Sequence, residues 1–168
     1  MAPVLAAGPQ GVDRAWSSAL HEDVARALVA ALKFRRLLPA AESMADRMHW
    51  LVPGHLLGGA VVPVPAAPAR SRRRGFDPAG ELAAALATRL DTEPVTCLAR
   101  RGLGHQVGKR RADRIRHPPR IEPIADSPRS VLLVDDVLTT GATLTACAAA
   151  LRASGAKRIV ALTFTRRL

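Results

Sequence analysis

Two periodicities alternate along this chain. Val24, Leu28, Ala31 and Leu32 recur at helical spacing within 22–34, behind acids in the first turn, which predicts a helix there. Similar patterns predict helices over 40–51, 79–90 and 143–154. The last is closed by Gly155, a residue suited to the position just past a helix. Between them lie short, β-branched apolar runs. Those over 60–64 and 131–134 read as buried strands, and 95–98 and 158–164 as further strands. Residues 1–15, with Gly8, Pro9 and Gly11, read as a loose lead-in, and 16–168 as one domain. Strands alternating with helices predict an α/β fold, a parallel sheet flanked by helices on both faces. Ligands of such sheets sit beyond the carboxyl ends of the strands. The segments 65–78, 100–120 and 135–143 all follow strands in that position.

Composition narrows the class. With 48% hydrophobic and 23% charged residues in 168, the chain can bury a core without disulfide staples. Cys97 and Cys147 form no Cys-x-x-Cys, and the five histidines show no ligand spacing, so no structural zinc site is expected. The stretch 48–69 lacks charge, but its prolines and glycines disqualify it as a membrane-spanning helix. The N-terminus lacks the basic region of a signal peptide, and with free thiols this points to the cytoplasm.

The net charge of +11 is local. Arg70, Arg72, Arg73 and Arg74 form one basic segment, and 100–120 holds eight basic residues against Asp113. Together they carry the whole excess, on an otherwise balanced body. Only three basic residues are lysines: Lys33, Lys109 and Lys157. Arginine forks clustered in two loops suit a polyanion, phosphate above all.

The most informative block is 131–143. Val131, Leu132, Leu133 and Val134 are followed by Asp135 and Asp136, then by Thr139, Thr140, Gly141, Ala142 and Thr143 at the start of a helix. A small, hydroxyl-rich turn at a helix N-terminus is a monophosphate cradle, and glycine lets the backbone approach the anion. Two carboxylates would repel that phosphate, so they suit sugar hydroxyls or Mg²⁺. An ordinary N-capped turn would need one hydroxyl and no acid pair. A Walker site would need a glycine-rich loop with lysine, and none of the three lysines sits in one.

This block resembles the ribose-phosphate signature of type I phosphoribosyltransferases. Val62-Pro63-Val64-Pro65 followed by Arg73-Arg74-Gly75-Phe76-Asp77 is similar to the PVP…RRGFNQ segment of the ComF family, competence-associated phosphoribosyltransferases. The stretch 21–35, and Gln106-Val107-Gly108 followed by Arg114, resemble the same family. The chain departs from it in lacking the N-terminal zinc ribbon, and at Asp77, Pro78 and His117.

The resemblance implies a Mg²⁺-dependent enzyme with 5-phosphoribosyl-1-pyrophosphate as donor and an unidentified nucleophile as acceptor. It implies that Thr139, Thr140, Gly141, Ala142 and Thr143 hold the 5-phosphate. Asp135 and Asp136 would act as the catalytic acids, on the ribose hydroxyls and the metal, and Arg70 and Arg74 would hold the pyrophosphate. The prolines of 62–65 make a strained or cis peptide plausible there. The basic 100–120 segment would close as a lid that excludes water. Lys33 reads as a helix-end lysine reaching for solvent. The alternative function is a non-catalytic ribose-phosphate-binding accessory protein of competence and DNA uptake, whose partner is nucleic acid or a competence-machinery protein. Scarce aromatics, at 3%, argue against a base-stacking surface. Self-association into a homo-oligomer stays open.

Overall fold

The apolar run at Val131 lies in the middle of a parallel sheet. In the computed structural model, which describes residues 4–5, 8–101 and 119–167, strand β6 (Ser130–Leu138) is flanked by β3 (Ala60–Pro63) and β7 (Arg158–Arg166). Strand β2 (Arg14–Leu20) extends the sheet beyond β7, and β1 (Val4–Leu5) pairs antiparallel with β2 at the edge. The four strands β2, β7, β6 and β3 are mutually parallel, as the α/β reading expects. Their registers align Val62 with Leu133 and Asp135 with Thr163.

Both faces of the sheet are covered, which is why β6 reads as a continuous apolar run rather than an alternation. Leu132 and Val134 point toward α1 (Asp23–Arg35), α2 (Leu38–Leu51) and α4 (Pro78–Arg89). There they pack with Leu32, Met44, Met48, Leu82 and Leu86. Val131 and Leu133 point to the other face, among Cys97, Leu144, Cys147 and Leu151. That face is covered by helix α5 (Ala142–Ala153) and by a hairpin of β4 (Leu98–Arg101) and β5 (Arg120–Pro123). The two thiols are free and buried. Among the described residues no helix is long and apolar enough to cross a membrane. The uncharged 48–69 stretch ends α2, makes a short 3-10 turn at Gly54–Leu56 and enters β3.

Several expectations change. Strand β2 begins at Arg14, inside what reads as lead-in. Ala15, Ser17, Ser18 and Ala19 are buried, so the strand carries small and hydroxyl side chains where a long apolar run would have announced it. Ser17 Oγ and Thr163 Oγ1 satisfy each other at 2.6 Å. The 65–78 loop contains a helix, α3 (Pro68–Arg74), with Pro68 in its first turn, where a missing N–H costs nothing. The strand expected over 95–98 lies at Leu98–Arg101, and Val95 makes only one bond, to the Val61 carbonyl, at 2.8 Å. The start of the long basic connection is thus a hairpin, not a loop. Every described peptide is trans, and no residue of 62–65 has positive φ, so the strain expected there is not found. Residues 102–118 of the expected lid, with Gln106, Val107, Gly108, Arg114 and His117, lie outside the described residues.

Gly59 keeps β3 close to β6. A Cβ there would lie 2.9 Å from Ser130 Oγ and 3.0 Å from the Ser130 backbone. A backbone cannot yield as a side chain tip does, so Gly59→Ala is expected to destabilise the fold by about 1–3 kcal/mol. A urea midpoint equal to that of the parent would contradict this packing.

Candidate active site

The acids of the signature block sit inside β6 rather than beyond it, because the strand continues to Leu138. Successive strand residues face opposite ways. Asp136 therefore joins the α1 face, where Lys33 Nζ lies 2.7 Å from its Oδ2. Asp135 lies on the other face, within electrostatic reach of Arg100 and Cys147. The backbone N–H of Asp136 donates to Asp135 Oδ1 at 2.9 Å, so the pair is held as one unit.

Lys33 is not a solvent-reaching helix end. With Asp136 side-chain exposure of 8% against 24% for Lys33, the pair is largely withdrawn from water. Helix α1 delivers the lysine and then stops at Arg36, which has φ +50°. A lysine four carbons long reaches the strand end because α1 packs directly across the sheet through Val29 and Leu32.

Burial pushes the Asp135 carboxyl up to about 8, with the Asp136 charge adding to the rise and Lys33 opposing it. The carboxyl thus holds its proton more tightly than an ordinary aspartate, and a cation brought against it would draw the proton off. Since the folded form binds the proton more tightly than an unfolded aspartate does, stability falls as pH rises from the ordinary carboxylate range toward 8. Asp135→Asn removes that dependence. It is expected to raise the melting temperature relative to the parent at pH 8 and to leave it nearly unchanged at pH 4. A difference of equal size at both values would show that burial does not govern this carboxyl.

Immediately after β6 the chain makes a pocket lined by Asp135, Thr139, Thr140, Gly141, Ala142 and Thr143, among others. Gly141 takes φ +75° to turn the chain into α5. The first-turn N–H groups of α5 have no acceptor within the helix, and Thr140 Oγ1 accepts from the Ala142 N–H at 3.4 Å. All five cradle residues and Asp135 therefore line one pocket at the carboxyl edge of the sheet, while Asp136 lies on the opposite face of β6 with Lys33.

The arginines of α3 come from the neighbouring strand, β3. Arg74 is half-buried, with its guanidinium carbon 5.4 Å from the Phe34 ring centroid. Burial and the nearby Arg70 pull its pKa down, while Asp136 pulls it up. Arg70 is exposed, yet its charge reaches both Arg74 and Arg100. Arg72 and Arg73 face solvent. Asp77, at the foot of this segment, caps α4 by accepting from Ala79 N at 3.1 Å, and burial raises its pKa. Its role is accounted for by the helix it begins.

The family model for the phosphoribosyl transferase domain matches residues 72–168, more than half of the chain. The chain belongs to the phosphoribosyl transferase family. No curated protein matches it. As a phosphoribosyl transferase domain, the matched region runs from the middle of α3 through the hairpin, the acid pair, the cradle and β7. Lys33 and His21 lie outside the matched region, on β2–α1. Sequence reasoning missed them as site residues because only the packing of α1 against β6 and β7 brings them to this edge. Arg100 was legible as a basic residue, but its place beside Asp135 depends on the β4–β5 hairpin.

Proposed function

We propose that this protein is a Mg²⁺-dependent phosphoribosyltransferase that binds 5-phosphoribosyl-1-pyrophosphate and transfers phosphoribose to a nucleophile. The observation that supports the reading is the direct run from β6 into the 139–143 turn, which lines one pocket with Asp135 and leaves the Lys33–Asp136 pair on the other face of the same strand. The cradle over 139–143 would take the 5-phosphate. Asp135 and Asp136 would accept hydrogen bonds from the ribose hydroxyls. Arg70 and Arg74 would face the pyrophosphate from the β3 side. The bond from C1 to pyrophosphate oxygen breaks, the acceptor lone pair forms the new bond to C1, and the carboxylates offset positive charge that develops on the ring. Among the described residues no group of three or more metal-ligating side chains exists. Two carboxylates suit Mg²⁺ that arrives with a polyphosphate and keeps its waters, not a resident cage. Bound there, the ion would neutralise the leaving pyrophosphate. The ComF resemblance would add a role in competence.

Calorimetry with the donor, with and without Mg²⁺, tests the reading, followed by pyrophosphate release with a panel of nucleobases. Saturable, Mg²⁺-dependent donor binding is expected, and its absence would overturn the proposal. A second reading, as a nucleic-acid-binding accessory protein, draws on the exposed Arg72 and Arg73. Part of the basic excess is already engaged, since Arg101 and Arg120 both pair with Glu122. If nucleic acid is the partner, affinity must fall steeply with salt through counterion release. No binding to DNA or RNA at low salt would remove this reading.

A further inference from the structure

A second concavity, of about 340 Å³, opens at the carboxyl ends of β2 and β7. It is lined by Leu20, His21, Glu22, Arg26, Arg166 and Arg167. Three arginines and one acid, Glu22, are among the lining residues, and none of the three arginines has an ion-pair partner among the described residues. Arginines without ion-pair partners around a concavity suit an anion, since a guanidinium offers several donors to a carboxylate or phosphate.

The cavity is wired to the acid pair. The Arg167 N–H donates to the Leu138 carbonyl at 2.9 Å, and the His21 N–H donates to the Arg166 carbonyl at 2.8 Å, so β6, β7 and the β2–α1 turn are tied at this edge. The Thr165 hydroxyl donates to the Asp136 carbonyl at 3.3 Å, and His21 Nδ1 lies 2.9 Å from the same hydroxyl. A hydroxyl has one proton, so both bonds form together only if Nδ1 carries the hydrogen. That leaves Nε2 as an acceptor, and among the described residues it has no partner. Burial, with Arg167 and Lys33 nearby, lowers the His21 pKa, while Asp136 acts the other way, so the site favours the neutral ring. The position is also chemically apt. Across the sheet the order β3, β6, β7, β2 puts the arginines of α3 on one side of the acid pair and this cavity on the other. A nucleophile attacks C1 from the side away from the leaving group.

We propose that this cavity is the acceptor subsite, and that it selects a small acceptor bearing a carboxylate or a phosphate, held by Arg26, Arg166 and Arg167 with His21 Nε2 accepting a hydrogen bond from it. This assignment rests on the transferase reading for its role, though not for its anion chemistry.

The test reads the His21 ring signals by heteronuclear NMR in the full chain, during titration with benzoate, benzamide and inorganic phosphate. Saturable shifts with benzoate but not benzamide are expected for a carboxylate acceptor. Shifts with phosphate and not benzoate would support a phosphate-bearing one. Arg26→Gln and Arg167→Gln alter exposed side chains and keep the fold, and each is expected to weaken anion binding about fivefold. Benzamide acting as well as benzoate, neither anion moving His21, or unchanged affinity in both variants would overturn the proposal. Donor binding to the parent protein, measured in parallel, separates the two claims. Donor binding with a silent His21 defeats the acceptor pocket alone. A responsive His21 without donor binding defeats the transferase reading and with it the acceptor role.

Discussion

Asp136→Asn is expected to lower the rate of pyrophosphate release from 5-phosphoribosyl-1-pyrophosphate by about a thousandfold, as removal of a group aimed at developing transition-state charge does. The asparagine keeps the shape and one hydrogen-bonding oxygen, so the loss isolates the charge. It also strands Lys33, whose ammonium lies 2.7 Å from Asp136 Oδ2. An unpaired, largely buried ammonium is costly, but a side chain still 24% exposed recovers part of its hydration, so a stability loss of about 2 kcal/mol is expected. Lys33→Met in the same background removes the stranded charge. The double variant should recover most of the stability and little of the rate. Recovery of the rate with stability would mean that Asp136 acts only through the fold. An unchanged rate in a folded Asp136→Asn protein would remove it from the chemistry altogether.

Gly141→Val should abolish detectable donor binding and lower stability together. The φ of +75° at this position is one that a β-branched residue rarely adopts, and forcing it costs roughly 1–2 kcal/mol. The added Cβ would also lie 3.1 Å from Pro9 Cγ. Relief by rotating φ would swing the first-turn N–H groups of α5 away from the phosphate, so the strain and the loss of affinity have one origin. Gly80→Ala provides the contrast. Its Cβ would make an ordinary contact of 3.5 Å with Asp77, inside α4, and a gain of about 0.5–1 kcal/mol is expected from helix propensity. Isothermal calorimetry and thermal melts on the two variants check both. Retained donor affinity in Gly141→Val would mean the anion is bound elsewhere.

The elements most legible in the sequence were those whose local signal and tertiary role agree. The run from Val131 to Val134 reads as a doubly buried strand because both its faces are covered, and the hydroxyl-rich turn at Gly141 reads as a phosphate cradle because its chemistry is contiguous in the chain. Strand β2 was not legible. Its buried residues are Ala15, Ser17, Ser18 and Ala19, and their burial is permitted by partners such as Thr163 from a strand far along the chain. The same reason explains the site. Sequence by itself determined the fold class and the acid pair followed by a hydroxyl-rich turn into a helix, since each is written in neighbouring residues. Only the tertiary structure decided that Asp135 and Asp136 face opposite sides of the sheet, that Lys33 belongs to Asp136, and that His21, Arg26, Arg166 and Arg167 share a cavity. The opposite facing follows from β6 continuing past the acids to Leu138, and the other two relations join residues more than a hundred positions apart, brought together because burial of the two sheet faces draws α1 and β7 to one edge.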